Sequence, residues 1–179
     1  MALVDYLVSR KSTPLLIESD TSNPDVWKVY RETIGCQLLD LDEVDGWIGL
    51  VNACDTHPDK IVIVNTAARS NTGVAKFGTT LGESLGELDR SLVALWAINR
   101  QRDSLELLTD FMEAMPKSRV HVLRNLYFGD ENKFELYAAS KTLPASREHR
   151  KAIDELKRLG SGRSSGRHHD PSISVPAAR

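Results

Sequence analysis

The feature that most constrains this chain is the segment 60–66, KIVIVNT. Four consecutive β-branched residues, Ile61 to Val64, follow one another without polar alternation. A strand of that kind expects apolar neighbours on both faces, as in a parallel sheet between helix layers. Similar runs recur along the chain. Segment 13–20 reads TPLLIESD, 37–41 reads QLLDL, 91–98 reads SLVALWAI, and 119–125 reads RVHVLRN. The 91–98 run is also expected to be fully buried. Between the runs lie stretches with apolar residues at helical spacing. They cover 2–10, a helix from Asn23 and Pro24 through Tyr30, a helix capped by Asp42 that ends near Asp55, then 73–88, 104–115, 132–140 and 146–159. Asn23 and Asp42 are the predicted caps. Strands alternating with helices predict an α/β fold: about five strands in a three-layer, mainly parallel sheet with helices on both faces.

Composition narrows the function classes. Among 179 residues, 23 Lys and Arg stand against 25 Asp and Glu, for a net charge of -2. That balance does not favour a protein held to nucleic acid by bulk charge. No apolar run is long enough to span a membrane, and the first residues lack the basic start of a secretory signal. A cytoplasmic location is the expectation. The two cysteines, Cys36 and Cys54, read as reduced thiols rather than a disulfide framework. From Gly160 the composition turns to Gly, Ser, Arg and His. Residues 1–159 are therefore expected to form the α/β domain, and 160–179 a disordered, mildly basic tail. His168 and His169 in that tail lack further ligands at metal spacing. Trp27, Trp47 and Trp96 read as packing residues, His121 as a core histidine, and His57 as an exposed residue beside a proline turn. Arg100 and Arg102 follow a strand, where phosphate contact and plain solvation are both open readings.

In open parallel sheets, ligands gather where the strands finish. Those ends carry Glu18 and Asp20, Asn65 and Thr66, and Asn125. Their order resembles the P-loop NTPases of the ParA/MinD class, most of all the TraL/MobD-like branch of plasmid conjugation and mobilisation systems. The resemblance covers about 1–145 and rests on short motifs. It implies that Asp20 positions the attacking water or the Mg²⁺ shell, and that Glu18 and Asn125 serve nucleotide binding, with Asn125 reading adenine. The 60–66 strand corresponds to the Walker B strand, so Asn65, with Thr66 beside it, stands at the Mg²⁺ shell. The segment 38–45, LLDLDEVD, resembles the strand and acidic loop of the TraL-like branch. Each polar residue also has a plainer reading, as a side chain that closes the turn after its strand.

The sequence departs from that family in two places. No G-x-x-x-x-G-K-[ST] loop occurs, nor the strand that would precede it. The glycine-containing segment 72–80, TGVAKFGTT, has the wrong order and reads as helix or switch-like loop. Asn65 stands where an acid normally helps hold Mg²⁺. A start lying upstream and a truncated remnant are the two explanations of the missing loop. The resemblance implies an accessory protein of plasmid mobilisation or conjugal transfer, built as an ATP-binding switch and inactive as an ATPase in this form. ATP and Mg²⁺ are expected only for a complete form. Plasmid transfer or partition proteins would be the partners, with DNA contacted indirectly and a homodimer as one state. The alternative is a non-catalytic interaction module that keeps the NTPase-like scaffold. A flavodoxin-like response domain shares the strand pattern but has no first strand followed by a phosphate loop.

Overall fold

A computed structural model describes residues 2–66 and 71–140. The predicted 146–159 helix and the 160–179 tail, with His168 and His169, lie outside the described residues. The chain alternates helices and strands: α1 (Ala2–Ser9), β1 (Leu15–Glu18), α2 (Asp25–Tyr30), β2 (Gly35–Leu38), α3 (Val44–Thr56), β3 (Val62–Asn65). It continues through α4 (Asn71–Glu87), β4 (Val93–Ile98), α5 (Asp103–Ala114) and β5 (Arg119–Arg124). Two 3₁₀ turns, Leu126–Phe128 and Glu131–Lys133, lead to α6 (Glu135–Ala139). The fold is α/β, with every strand pair parallel. The segment 72–80 is helical, within α4.

The strands form two small sheets among the described residues, in the orders β2-β1-β3 and β4-β5, where the sequence predicted a single one. β1 is central in the first, with Glu18 opposite Leu38 on one side and Asn65 on the other. Its burial is complete from Leu15 to Glu18. Alternate β1 side chains enter separate cores. Leu15 and Ile17 pack with Trp47 and Leu50 of α3 and Leu81 and Leu85 of α4. Leu16 packs with Val4 of α1 and Tyr30 of α2. The period of two along a strand thus places helices on both faces of this sheet.

β3 and β4 pair with β1 and β5 and not with each other. A cavity lies between them, bounded by Ile61, Val62 and Val64 on one side and Ser91 and Leu92 on the other. Arg90 bridges the gap by donating to the carbonyls of His57 and Lys60. With one edge unpaired, β3 is half-buried rather than enclosed on both faces. The expectation of a fully buried 91–98 strand is also corrected. β4 alternates, with Val93, Leu95 and Ala97 exposed and Ile98 buried, because α5 covers one face only.

The predicted caps are displaced as well. Glu43, not Asp42, precedes α3, and Pro24, not Asn23, precedes α2; neither makes a side-chain cap bond. β2 lies at 35–38 rather than 37–41 because its register is set by pairing with β1. This frees Leu41 to enter the core from the following loop. That loop lies close to two helices. A Cβ on Gly46 would stand 1.8 Å from the Asp40 carbonyl oxygen, and one on Gly73 2.1 Å from that of Leu41. Trp47 Nε1 donates to the same Leu41 oxygen at 2.6 Å. Trp27 and Trp96 are half-buried. His57 is also half-buried rather than exposed, with its ring 3.1 Å from the Ala53 carbonyl.

Two measurements follow from this packing. Gly73→Ala should lose about 1–3 kcal/mol in urea unfolding through overpacking against the Leu41 carbonyl. Gly82→Ala, in the same helix with open space at its Cβ, should gain about 0.5–1 kcal/mol. The buried Tyr30 hydroxyl donates to Asp5 at 2.5 Å, and this bond pushes its pKa up to about 12. Folding therefore favours the protonated phenol. The contribution should be intact below the ordinary phenol value of about 10 and disappear as pH rises towards 12. In Tyr30→Phe, that part of the alkaline stability loss should be missing from urea titrations.

Candidate functional site

The C-terminal ends of β1 and β3 bring Glu18, Asp20, Asn65 and Thr66 together. Parallel pairing puts Glu18 directly beside Asn65. Their side chains meet: Asn65 Nδ2 donates to Glu18 Oε1 at 2.8 Å. The Asp20 amide donates to the same oxygen at 3.1 Å, and the Trp27 amide donates to Oε2 at 3.3 Å. Glu18 is fully buried, so its charge has lost water and needs these donors. Trp27 is the third residue of α2, one of the positions whose N–H lacks an intrahelical partner. A carboxylate at the end of the preceding strand thus supplies the acceptor expected from Asn23. Asn23 Nδ2 instead donates to Asp25, whose carboxyl is held below its ordinary range by bonds from Lys28 and Asn23.

The backbone repeats the connection. The Ser19 amide and hydroxyl both donate to the Asn65 carbonyl, at 2.9 and 3.0 Å. The Leu39 amide donates to the Glu18 carbonyl at 3.0 Å. Three strand ends are therefore joined within a few residues.

Asp20 sits just beyond, partly exposed. Its Oδ1 accepts from the Ser22 hydroxyl at 3.0 Å and the Asn23 amide at 3.1 Å, closing the turn before α2. Thr66 is exposed. Asn125 belongs to the other sheet, at the end of β5, where its Oδ1 accepts from the Tyr127 amide at 3.1 Å. Asp40 and Asn99 do the same for the turns after β2 and β4, accepting from the amides of Asp42 and Gln101. Four polar residues after strands thus close their own turns, a habit of Asp and Asn that follows from their short side chains.

The resemblance gave Glu18 and Asn125 to nucleotide and Asn65 to the Mg²⁺ shell. Both Glu18 oxygens, the Asn65 amide nitrogen and the Asn125 oxygen are engaged within the protein. ATP and Mg²⁺ at these strand ends would have to share or open the bonds at Glu18 and Asn125, while the Asn65 bond to Glu18 uses its amide nitrogen and not its oxygen. Among the described residues, no cluster of His, Cys, Asp and Glu has the arrangement of a metal site. Burial pushes the thiols of Cys36 and Cys54 above their usual range, which makes them poor nucleophiles. Arg100 donates to the Phe128 carbonyl at 3.2 Å, and Arg102 pairs with Glu106 at 3.0 Å. The sequence reading missed the Trp27 amide and the exposed Leu126, Tyr127 and Phe128. The apolar triplet after β5 was the available signal.

The chain is 60% identical over 148 residues to a protein of Acidithiobacillus ferrooxidans named Protein MobD. The match takes in 83% of this chain and 65% of that protein, so the chain spans a little under two thirds of the relative's length. No family model matches the chain. No solved structure matches it. No helix among the described residues is long and apolar enough to cross a membrane.

The site predicts an order of mutational cost in urea unfolding. Glu18→Gln puts an amide donor among existing donors, and Asn65→Asp puts a second carboxylate against Glu18. Each should lose about 1.5–3 kcal/mol, the scale of a hydrogen bond to a charged group. Asp20→Ala and Asn125→Ala remove acceptors from exposed turns and should lose about 1 kcal/mol or less.

Proposed function

We propose that this chain is an accessory protein of plasmid mobilisation, working in the cytoplasm by binding other proteins of the transfer or partition machinery. The observation that carries the reading is the 60% identity to Protein MobD. The binding role, rather than catalysis, is supported by the strand-end chemistry. The acid at the Walker B position is replaced by Asn65, whose side chain is tied to Glu18. Asp20 and Asn125 close turns. An interaction module needs an accessible surface rather than free catalytic groups. The turn after β5 offers one, with Tyr127 88% exposed next to Leu126 and Phe128. Any contact with DNA then passes through the partner.

A second reading keeps the nucleotide switch. It is favoured by the collection of Glu18, Asp20, Asn65 and Thr66 at adjacent parallel strand ends, where such sheets bind ligands. In that reading ATP and Mg²⁺ shift the protein between two states, such as monomer and homodimer.

Two measurements decide. In the host of the plasmid, deletion of the gene should lower mobilisation frequency, and the chain should restore it. Asp20→Ala should restore it equally. No effect of the deletion would remove the mobilisation reading. Thermal melting with Mg²⁺ and ATP should leave Tm unchanged, because a ligand that binds the native state raises it. A Tm that rises with ATP concentration, with loss of complementation by Asp20→Ala, would replace the module by the switch.

A further inference from the structure

The two sheets differ in their cover. Both faces of β2-β1-β3 carry helices, but among the described residues β4-β5 has one only on the side of Trp96, Ile98 and Val122. There Trp96 packs on Phe111 of α5 at 5.2 Å between ring centroids, and Phe134 and Tyr137 close the cluster. The opposite face presents Val93, Leu95 and Ala97 of β4 in register with Arg119, His121 and Leu123 of β5. Val93 is 45% exposed and Leu95 37%. Parallel sheets occur almost only with both faces covered, since both faces of their strands are apolar.

The sequence beyond Ser140 contains a matching element. At 100° per residue, Ala145, His149, Ala152, Ile153, Leu156 and Leu159 fall in one stripe about 120° wide. Arg147, Arg150, Lys151, Asp154, Lys157 and Arg158 fall outside it. Tyr137 of α6 is packed on the α5 side of the sheet. From Ala139 to position 146 the chain can reach about 25 Å. That exceeds the roughly 20 Å between layers packed on opposite faces of one sheet. The connection is thus of the same order as the separation of two layers.

We propose that segment 146–159 of this same chain docks as an amphipathic helix on the face of β4 and β5 formed by Val93, Leu95, Ala97, His121 and Leu123. The occupant is intramolecular because stripe and tether both belong to the chain. A tethered segment also has a high effective concentration at a site within its reach.

The test is hydrogen exchange of the full chain, read by mass spectrometry, with light scattering for oligomeric state. Amides of 148–158 should be protected in a monomer. Leu95→Asp should raise their exchange roughly tenfold or more while Leu15–Glu18 stays protected. In a second variant, Leu95→Cys, maleimide labelling should be slow, and adding Ile153→Asp and Leu156→Asp should speed it by a similar factor; peptide mapping separates it from Cys36 and Cys54. Unprotected 148–158 amides in the parent chain would overturn the proposal. So would protection that survives Leu95→Asp, or a dimer that Leu95→Asp dissociates, since a second copy would then be the cover. Rapid labelling regardless of Ile153 and Leu156 would point to an outside partner and overturn it as well.

Discussion

The buried carboxylate of Glu18 is the interaction on which the first sheet and its helices depend. It takes hydrogen bonds from the side chain of Asn65 in β3, from the Asp20 amide in the next turn and from the Trp27 amide in α2. An unpaired charge at that depth would be prohibitive, so the three donors and the charge require one another. The consequence is geometric. The end of β3 and the start of α2 are held against the end of β1, and the Leu15, Leu16 and Ile17 side chains between them are directed into two separate cores.

That constraint also bears on function. A strand-end acid and a strand-end amide look like ligand-binding chemistry when seen in one dimension. Here each is the other's partner. Asn rather than Asp at position 65 suits the arrangement, because its amide nitrogen can donate to Glu18, whereas a second carboxylate would repel it. The asparagine at this strand end thus has a structural reason in this chain.

The remainder of the molecule shows how a helix layer can be continuous while the strands beneath it are not. Met115 and Phe111 of the α5 region join the same core as Trp47 and Leu85. The two sheets stop on either side of a cavity, with Arg90 spanning it through two carbonyls. The half-exposed β3 and the alternating β4 both go with that interruption and with an outer face of β4-β5 that no described helix covers.

Strand and helix identities were legible in the sequence. The β-branched run at 61–64, the apolar runs at 15–17 and 93–98, and the spacing of Leu105, Leu108 and Met112 are local patterns, and local sterics and periodicity dictate their structure. The choice of parallel α/β architecture followed from their alternation. Tertiary structure alone decided which strands pair, since hydrogen-bond partners along a sheet are not written in local spacing. It moved β2 two residues earlier, put the acceptor for α2 on Glu18 instead of Asn23, and divided five strands into two sheets. It also decided whether a strand-end side chain faces solvent or the interior. Residue type specifies what Glu18 and Asn65 can bond, but only their register across β1 and β3 makes them bond each other.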